Sequence, residues 1–143
     1  MRKTFRALAG ATLIAGFTIA SAGVASADVG HKDNCAKISG TEICDIWWTK
    51  TSNLAPVISE AMFHSYDEVA EVLDYKADGR GAYMRLTWKD GGVSYKKEIY
   101  NTGGDGHVES RNYSITENVV VDIKACQTDD GTLLNCVYAD IKA

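Results

Sequence analysis

The chain has 143 residues, of which 15 are lysine or arginine and 19 are aspartate or glutamate, so its formal net charge is −4. Three of the basic residues and none of the acidic ones lie in residues 1–27, so residues 28–143 carry 12 − 19 = −7. This acidic balance argues against nucleic acid or an anionic membrane as a partner. The length of 28–143 fits a single domain with a modest core.

Residues 1–27 have the three parts of a secretory signal peptide. The start is basic, an uncharged apolar stretch follows as far as about Val24, and Ala25-Ser26-Ala27 supplies the small residues that a signal peptidase recognises. A permanent membrane anchor is the alternative, but this stretch is only weakly hydrophobic because it is rich in Gly, Ala, Ser and Thr. The sequence therefore predicts cleavage near Ala27-Asp28 and a single secreted β-domain, 28–143, with no membrane attachment.

The four cysteines all lie in the part that is predicted to be exported. An even number in an exported chain favours disulfides, and four cysteines allow three connectivities. A zinc site is the rival interpretation, but eight and nine residues separate the cysteines of each pair, whereas two to four separate those of a zinc knuckle. We favour two local bridges, Cys35–Cys44 and Cys126–Cys136, because each fits a β-hairpin.

Both hairpins place their cysteines opposite each other. With Ser39-Gly40 as a two-residue turn, Cys35 lies opposite Cys44. In the second hairpin, pairing Cys126 with Cys136 separates apolar from polar side chains, which supports that register. The apolar face then contains Val121, Ile123, Ala125, Val137, Ala139 and Ile141, and the polar face contains Asp122, Lys124, Tyr138 and Asp140.

The most regular segment of the chain is a hairpin over about residues 82–100, in which apolar and polar side chains alternate. Its turn is Asp90-Gly91-Gly92. The preferred register pairs Arg85 with Glu98, Tyr83 with Tyr100, and Trp88 with Tyr95. A shift by one residue would put Arg85 opposite Lys96, which is repulsive. Lys97 alone disagrees, since it falls on the core-facing side and requires either a bulge or an open strand end.

Seven or eight short strands separated by turns predict an all-β protein, an antiparallel β-sandwich with two local disulfides. A closed β-barrel is the alternative architecture. The segment 57–73 also permits a short helix within 59–75, although we favour strands there. Further strands are expected at about 42–50, 55–64, 68–76, 107–116, 118–127 and 132–141.

Two short runs, together with the late cysteines, resemble a known group of proteins. The runs are D-x-K-A-D-G-R from Asp74 and Y-x-R-L-x-W from Tyr83, and the closing strand pair carries Cys126 and Cys136. They are similar to small secreted actinobacterial β-sandwich proteins, over about residues 69–137. The resemblance implies a secreted bacterial β-sandwich and brings with it no activity, cofactor or catalytic residue.

No catalytic, cofactor or nucleic-acid motif occurs in the sequence, so a non-catalytic protein without a cofactor is predicted. His107 can form a small acid–imidazole cluster with Asp105 and Glu109, since the three share one face of an extended chain. Calcium is the metal that best suits the acidic turns, although Asp-Gly is also a common turn sequence. Those turns contain Asp74, Asp78, Asp105, Asp129 and Asp130.

The candidate ligand-binding residues are aromatic rings beside charged groups. Tryptophans 47 and 48 are adjacent, so one of them must reach an outer face, and Trp48 is assigned to the candidate set. Rings next to a guanidinium and a carboxylate can stack on a sugar or hold a peptide. The other members are Tyr83, Arg85, Glu98 and Tyr100. The predicted function is a secreted binding or interaction module for an extracellular protein or glycan; the alternative is an extracellular protease inhibitor.

Overall fold

The computed structural model describes residues 28–33, 35, 43–50 and 55–143, and nine β-strands occur among them. The predicted signal peptide lies outside the described residues. No helix occurs in the described part, so the prediction of strands over 57–73 is confirmed. The strands are Val29–Asp33 (β1), Ile43–Thr49 (β2), Val57–His64 (β3), Val69–Asp74 (β4), Arg80–Asp90 (β5), Val93–Asn101 (β6), His107–Asn112 (β7), Val120–Asp129 (β8) and Thr132–Lys142 (β9).

The strands form two antiparallel sheets that pack face to face. The first sheet has the order β1-β2-β3-β4-β7 and the second has the order β6-β5-β8-β9. The predicted antiparallel sandwich is confirmed, and these strands do not close into one barrel. Burying a large apolar side chain stabilises the fold by about 1.5–3 kcal/mol. The largest such side chains between the sheets are Trp48, Phe63, Ile46, Met84, Leu86 and Ile123.

The hairpin of β5 and β6 has the predicted register, with Tyr83 opposite Tyr100, Arg85 opposite Glu98, and Trp88 opposite Tyr95. The even-numbered side chains of β5 from position 82 to 88 are buried, as their alternation predicts. Lys97 faces Leu86 with no shift of register at that point. Strand β6 lies at the edge of its sheet and is exposed from Val93 to Glu98. The open strand end, rather than a bulge, therefore accommodates Lys97.

Both predicted disulfides are confirmed, with Cα–Cα distances of 4.2 Å for Cys35–Cys44 and 4.1 Å for Cys126–Cys136. The Ser39-Gly40 turn lies outside the described residues. In the described parts of β1 and β2, Asp33 faces Asp45. The predicted register, with Cys35 opposite Cys44, would put Asp33 opposite Ile46, so at Asp33 the pairing differs from the prediction by one residue.

The hairpin of β8 and β9 has the predicted register as far as Ala125, which faces Val137. Beyond it, Gln127 faces Leu134, so two residues of β9 lie opposite Cys126 alone. This is a β-bulge. Its first residue, Asn135, has φ +49°, a left-handed conformation that asparagine adopts more easily than most residues. The bulge was not predicted.

The bulge ties the two sheets together through polar contacts. The indole N–H of Trp48 donates to the carbonyl of Asn135 at 2.7 Å. The side-chain amide of Asn135 donates to Gln127 Oε1 at 2.8 Å, and the amide of Gln127 donates to the hydroxyl of Ser59 at 3.4 Å. Because Trp48 and Gln127 are buried, these bonds satisfy groups that have little access to water.

A Trp48→Phe substitution tests the bond at the bulge. Without the indole N–H, the carbonyl of Asn135 loses its donor, and an unsatisfied buried acceptor costs about 1–3 kcal/mol. Trp88→Phe is the matched control, since the indole of Trp88 is also in the core but donates no hydrogen bond within the described residues. We expect W48F to lose about 1–3 kcal/mol more than W88F in urea-induced unfolding; equal losses would show that the bond contributes nothing.

Candidate functional site

The outer face of the second sheet brings four of the five predicted ligand-binding residues together. We call the outward-pointing side chains of β6, β5, β8 and β9 the Arg85 face. Each residue of its central row is the cross-strand partner of the next. That row runs Glu98, Arg85, Lys124 and Tyr138, and the row beside it runs Tyr100, Tyr83 and Cys126.

Tyr83 supports this face from below rather than forming its surface. It is only 1% exposed, and its ring centroid lies 4.7 Å from that of Tyr100. Its hydroxyl donates to Glu98 Oε1 at 2.8 Å. Burial, reinforced by this bond, holds the pKa of Tyr83 above its usual value, and the same bond holds the pKa of Glu98 below its usual value. Tyr83 is therefore a protonated donor, and Glu98 is a fixed carboxylate.

Arg85 is the residue on this face whose bonding is incomplete. Its Nε is buried and has no hydrogen-bond partner, and Arg85 forms no ion pair within the described residues. The nearest carboxylate across the strand, Glu98, instead contacts Tyr83 and the ammonium of Lys96, which is 3.4 Å away. On its other side Arg85 faces Lys124 directly. Like charges in such a position destabilise a sheet.

Trp48 does not belong to the Arg85 face. Its side chain is fully buried between the sheets, because the register of β2 points Cys44, Ile46 and Trp48 inward. Trp47 is the member of the pair that reaches an outer face, that of the first sheet. There its ring stacks on the imidazole of His31, with centroids 5.5 Å apart.

The outer face of the first sheet holds a carboxyl pair that sequence reasoning missed. Asp45 on β2 lies diagonally across from Glu60 on β3, and the Tyr75 hydroxyl donates to Glu60 Oε2 at 2.5 Å. Burial, together with the adjacent Glu60 carboxyl, raises the pKa of Asp45 to about 7. Burial and the same carboxyl raise the pKa of Tyr75 to about 12. Asp45 therefore gains or loses a proton near neutral pH, whereas Tyr75 keeps its proton there. The alternation of β2 and β3 was the only sequence signal for the proximity of Asp45 and Glu60.

The five aspartates that suggested calcium all lie at one end of the sandwich. Asp74 and Asp129 end β4 and β8, and the other three are in the turns that follow β4, β6 and β8. Yet no group of three or more potential metal ligands forms among the described residues. Asp74 is buried, which raises its pKa, and it accepts a hydrogen bond from the backbone N–H of Lys76 at 2.9 Å. Arg80, at the same end, is paired with Asp28.

The predicted cluster at His107 forms in part. His107 Nε2 lies 3.1 Å from Glu109 Oε1, and Arg111 lies 3.1 Å from Glu109 Oε2. The contact with His107 holds the pKa of Glu109 below its usual value. His107 and Arg111 are exposed, and exposed ion pairs of this kind contribute little to stability. Asp105 makes no direct contact with this group in the described structure.

Comparison with known proteins gives no assignment: no protein-family model, no curated protein and no solved structure matches the chain. Two further findings bear on where the protein works. The two disulfides fit an extracellular or otherwise oxidising environment. Among the described residues, no helix has the length and apolar character that a membrane crossing requires.

The carboxyl pair predicts how stability depends on pH. The folded protein raises the pKa of Asp45 from 3.8 to about 7, so between those values the folded state binds a proton that the unfolded state has lost. Stability therefore falls as pH rises from about 4 to about 7. Asp45→Asn removes this titration, and we expect it to stabilise the protein at pH 8 by about 1–2 kcal/mol. This is less than the free energy that corresponds to the whole pKa shift, because Asp45 is partly exposed and water screens its charge.

Thermal unfolding at pH 5 and pH 8 measures this effect. Asp122→Asn is the control, since Asp122 is an exposed aspartate on the opposite outer face. D45N should narrow the difference in Tm between the two pH values, and D122N should leave it as in the wild type. An unchanged difference in D45N would show that Asp45 ionises as it does in the unfolded chain.

Proposed function

We propose that this protein is a secreted, non-catalytic binding module that holds an extracellular ligand on its Arg85 face. The observation that carries the proposal is the half-buried Arg85 side chain, which forms no hydrogen bond or ion pair within the described residues and lies directly opposite Lys124 in the middle of a regular sheet. A charged group held in this way costs stability. Such a cost is typical of positions that are retained for binding.

Two exposed tyrosines lie on either side of this group. Tyr100 is 49% exposed and Tyr138 is 60% exposed, and the ammonium of Lys124 lies 5.9 Å from the ring centroid of Tyr138. Tyrosine gives a large contact area and loses little conformational freedom on binding. The ring of Tyr100 is held from below by the buried Tyr83. The face therefore offers two positioned rings with cationic groups between them.

Export of the protein rests on the signal sequence in residues 1–27, and the two disulfides support it, since such bonds persist outside the reducing cytosol. Two disulfides suit a domain of about this size, because its hydrophobic core is modest. Closing loops of this length is worth about 2.5–3 kcal/mol each in the chain-entropy model.

Retention on insoluble polysaccharides tests the proposal. The secreted protein is incubated with chitin, cellulose and peptidoglycan, and the bound fraction is measured for the wild type and for Tyr100→Ala and Tyr138→Ala. We expect each substitution to weaken binding at least about tenfold, or about 1.4 kcal/mol. Tyr66→Ala is the control, because Tyr66 is 77% exposed in the turn between β3 and β4, away from the Arg85 face.

The outcomes separate this proposal from the alternative. Retention that Y100A and Y138A leave intact would place the ligand elsewhere on the molecule. The inhibitor hypothesis does not use this face. It would be favoured if the wild-type protein inhibited members of a panel of extracellular proteases and if Y100A and Y138A inhibited them equally well.

A further inference from the structure

We infer that the ligand of the Arg85 face is an acidic saccharide, and that its carboxylate or phosphate group binds between Arg85 and Lys124. This inference rests on the proposed function and adds the chemical class of the ligand.

The central row places two cationic side chains next to each other. Arg85 and Lys124 are direct cross-strand partners, and the Nε of Arg85 has no partner within the described residues. Glu98, the partner of Arg85 on the other side, attracts it, but Glu98 Oε1 also accepts from the Tyr83 hydroxyl and lies 3.4 Å from the Lys96 ammonium. An anion placed between Arg85 and Lys124 would relieve the repulsion between their two positive charges. The planar fork of arginine matches the geometry of carboxylate and phosphate.

The attraction for an anion is local to this face. Residues 28–143 carry a net charge of −7, so the molecule as a whole repels polyanions. The outer face of the first sheet, in particular, carries Asp45, Glu60 and Glu71. Binding of an acidic ligand therefore depends on contact with Arg85 and Lys124 and not on a general attraction.

The hydrogen bonding of the sheet favours a saccharide over an acidic peptide. An extended peptide binds a sheet by adding main-chain hydrogen bonds at an edge. Strands β5 and β8, which carry Arg85 and Lys124, are paired on both sides, so their backbone groups are already bonded. The face instead offers ring surfaces and charged side chains. Aromatic rings suit the flat faces of sugars, and charged groups suit the acidic substituents.

The spacing of the exposed rings indicates an oligosaccharide. Tyr100 and Tyr138 are on β6 and β9, three strand spacings apart, and are offset by about two residues along the strands. With about 4.8 Å between strands and about 3.4 Å per residue, the two positions are about 16 Å apart. A single sugar cannot reach both rings.

The test follows the side-chain Nε–H signals of arginine by NMR. Residues 28–143 contain three arginines, Arg80, Arg85 and Arg111, and Arg85→Gln assigns the Arg85 signal by its disappearance. The ¹⁵N-labelled secreted protein is titrated with trigalacturonate, with its neutral methyl ester, with phosphorylated and unphosphorylated maltotriose, and with hexaglutamate. We expect trigalacturonate or the phosphorylated sugar to shift the Arg85 signal and to bind at least about tenfold more tightly than its neutral counterpart.

Three variants locate the anion site. Arg85→Gln and Lys124→Gln should each weaken binding of the acidic sugar at least about tenfold, whereas Arg111→Gln, which removes an exposed cation from β7, should leave it unchanged. Arg85→Gln and Lys124→Gln should both keep a single cooperative transition in urea unfolding, which is the check that both remain folded.

Equal binding of the neutral and acidic sugars, lost in Y100A and Y138A, would overturn the inference and leave the proposed function standing. Tighter binding of hexaglutamate than of either acidic sugar would overturn it in favour of a peptide. No perturbation of Arg85 by any acidic probe at millimolar concentration would also overturn it. If, in addition, the protein is not retained on any of the insoluble polysaccharides, or Y100A and Y138A leave its retention unchanged, the proposed function itself fails.

Discussion

The hydrogen bond from the buried indole of Trp48 to the carbonyl of Asn135 holds the two sheets together where the register of β8 and β9 breaks. Because two residues of β9 lie there opposite Cys126 alone, the disulfide to Cys136 is formed at the bulge itself. Cys126 is in turn the cross-strand partner of Tyr83, which is almost fully buried although it points outward. The core contact, the disulfide and the buried tyrosine on the outer side of the second sheet therefore meet at this break in the register.

The charges of the outer surface follow from this burial. A buried tyrosine hydroxyl must find an acceptor, and the one within reach of Tyr83 is Glu98. Glu98 is thereby held as a carboxylate next to Tyr83 and Lys96, and Arg85 forms no ion pair with it in the described structure although the two are cross-strand neighbours. Arg85 and Lys124 therefore lie opposite each other in one row, and their repulsion lowers the free energy of unfolding.

Much of this architecture is predictable because sheets obey local rules. Alternation over β5, with the pairing of Arg85 and Glu98, favours one register for the first hairpin, and the apolar and polar sorting of β8 and β9 agrees with the Cys126–Cys136 bridge. The bulge at Asn135 is not predictable in this way, since one extra residue leaves the pattern on either side intact. Trp48 was assigned to an outer face although it is buried between the sheets. The alternation of β2 does not show which of two adjacent tryptophans points inward. Asp45 and Glu60 meet only through the pairing of β2 and β3, which no motif marks.

Lys97 was the one residue that fitted the hairpin poorly, and its position has a consequence for the protein in solution. Strand β6 presents unpaired backbone groups along its free edge, which is the surface through which β-proteins join into larger sheets. A charged side chain that points toward the interior side of an edge strand would be buried without a partner if another strand docked there. The misfit that breaks the alternation of the hairpin thus works against edge-to-edge aggregation.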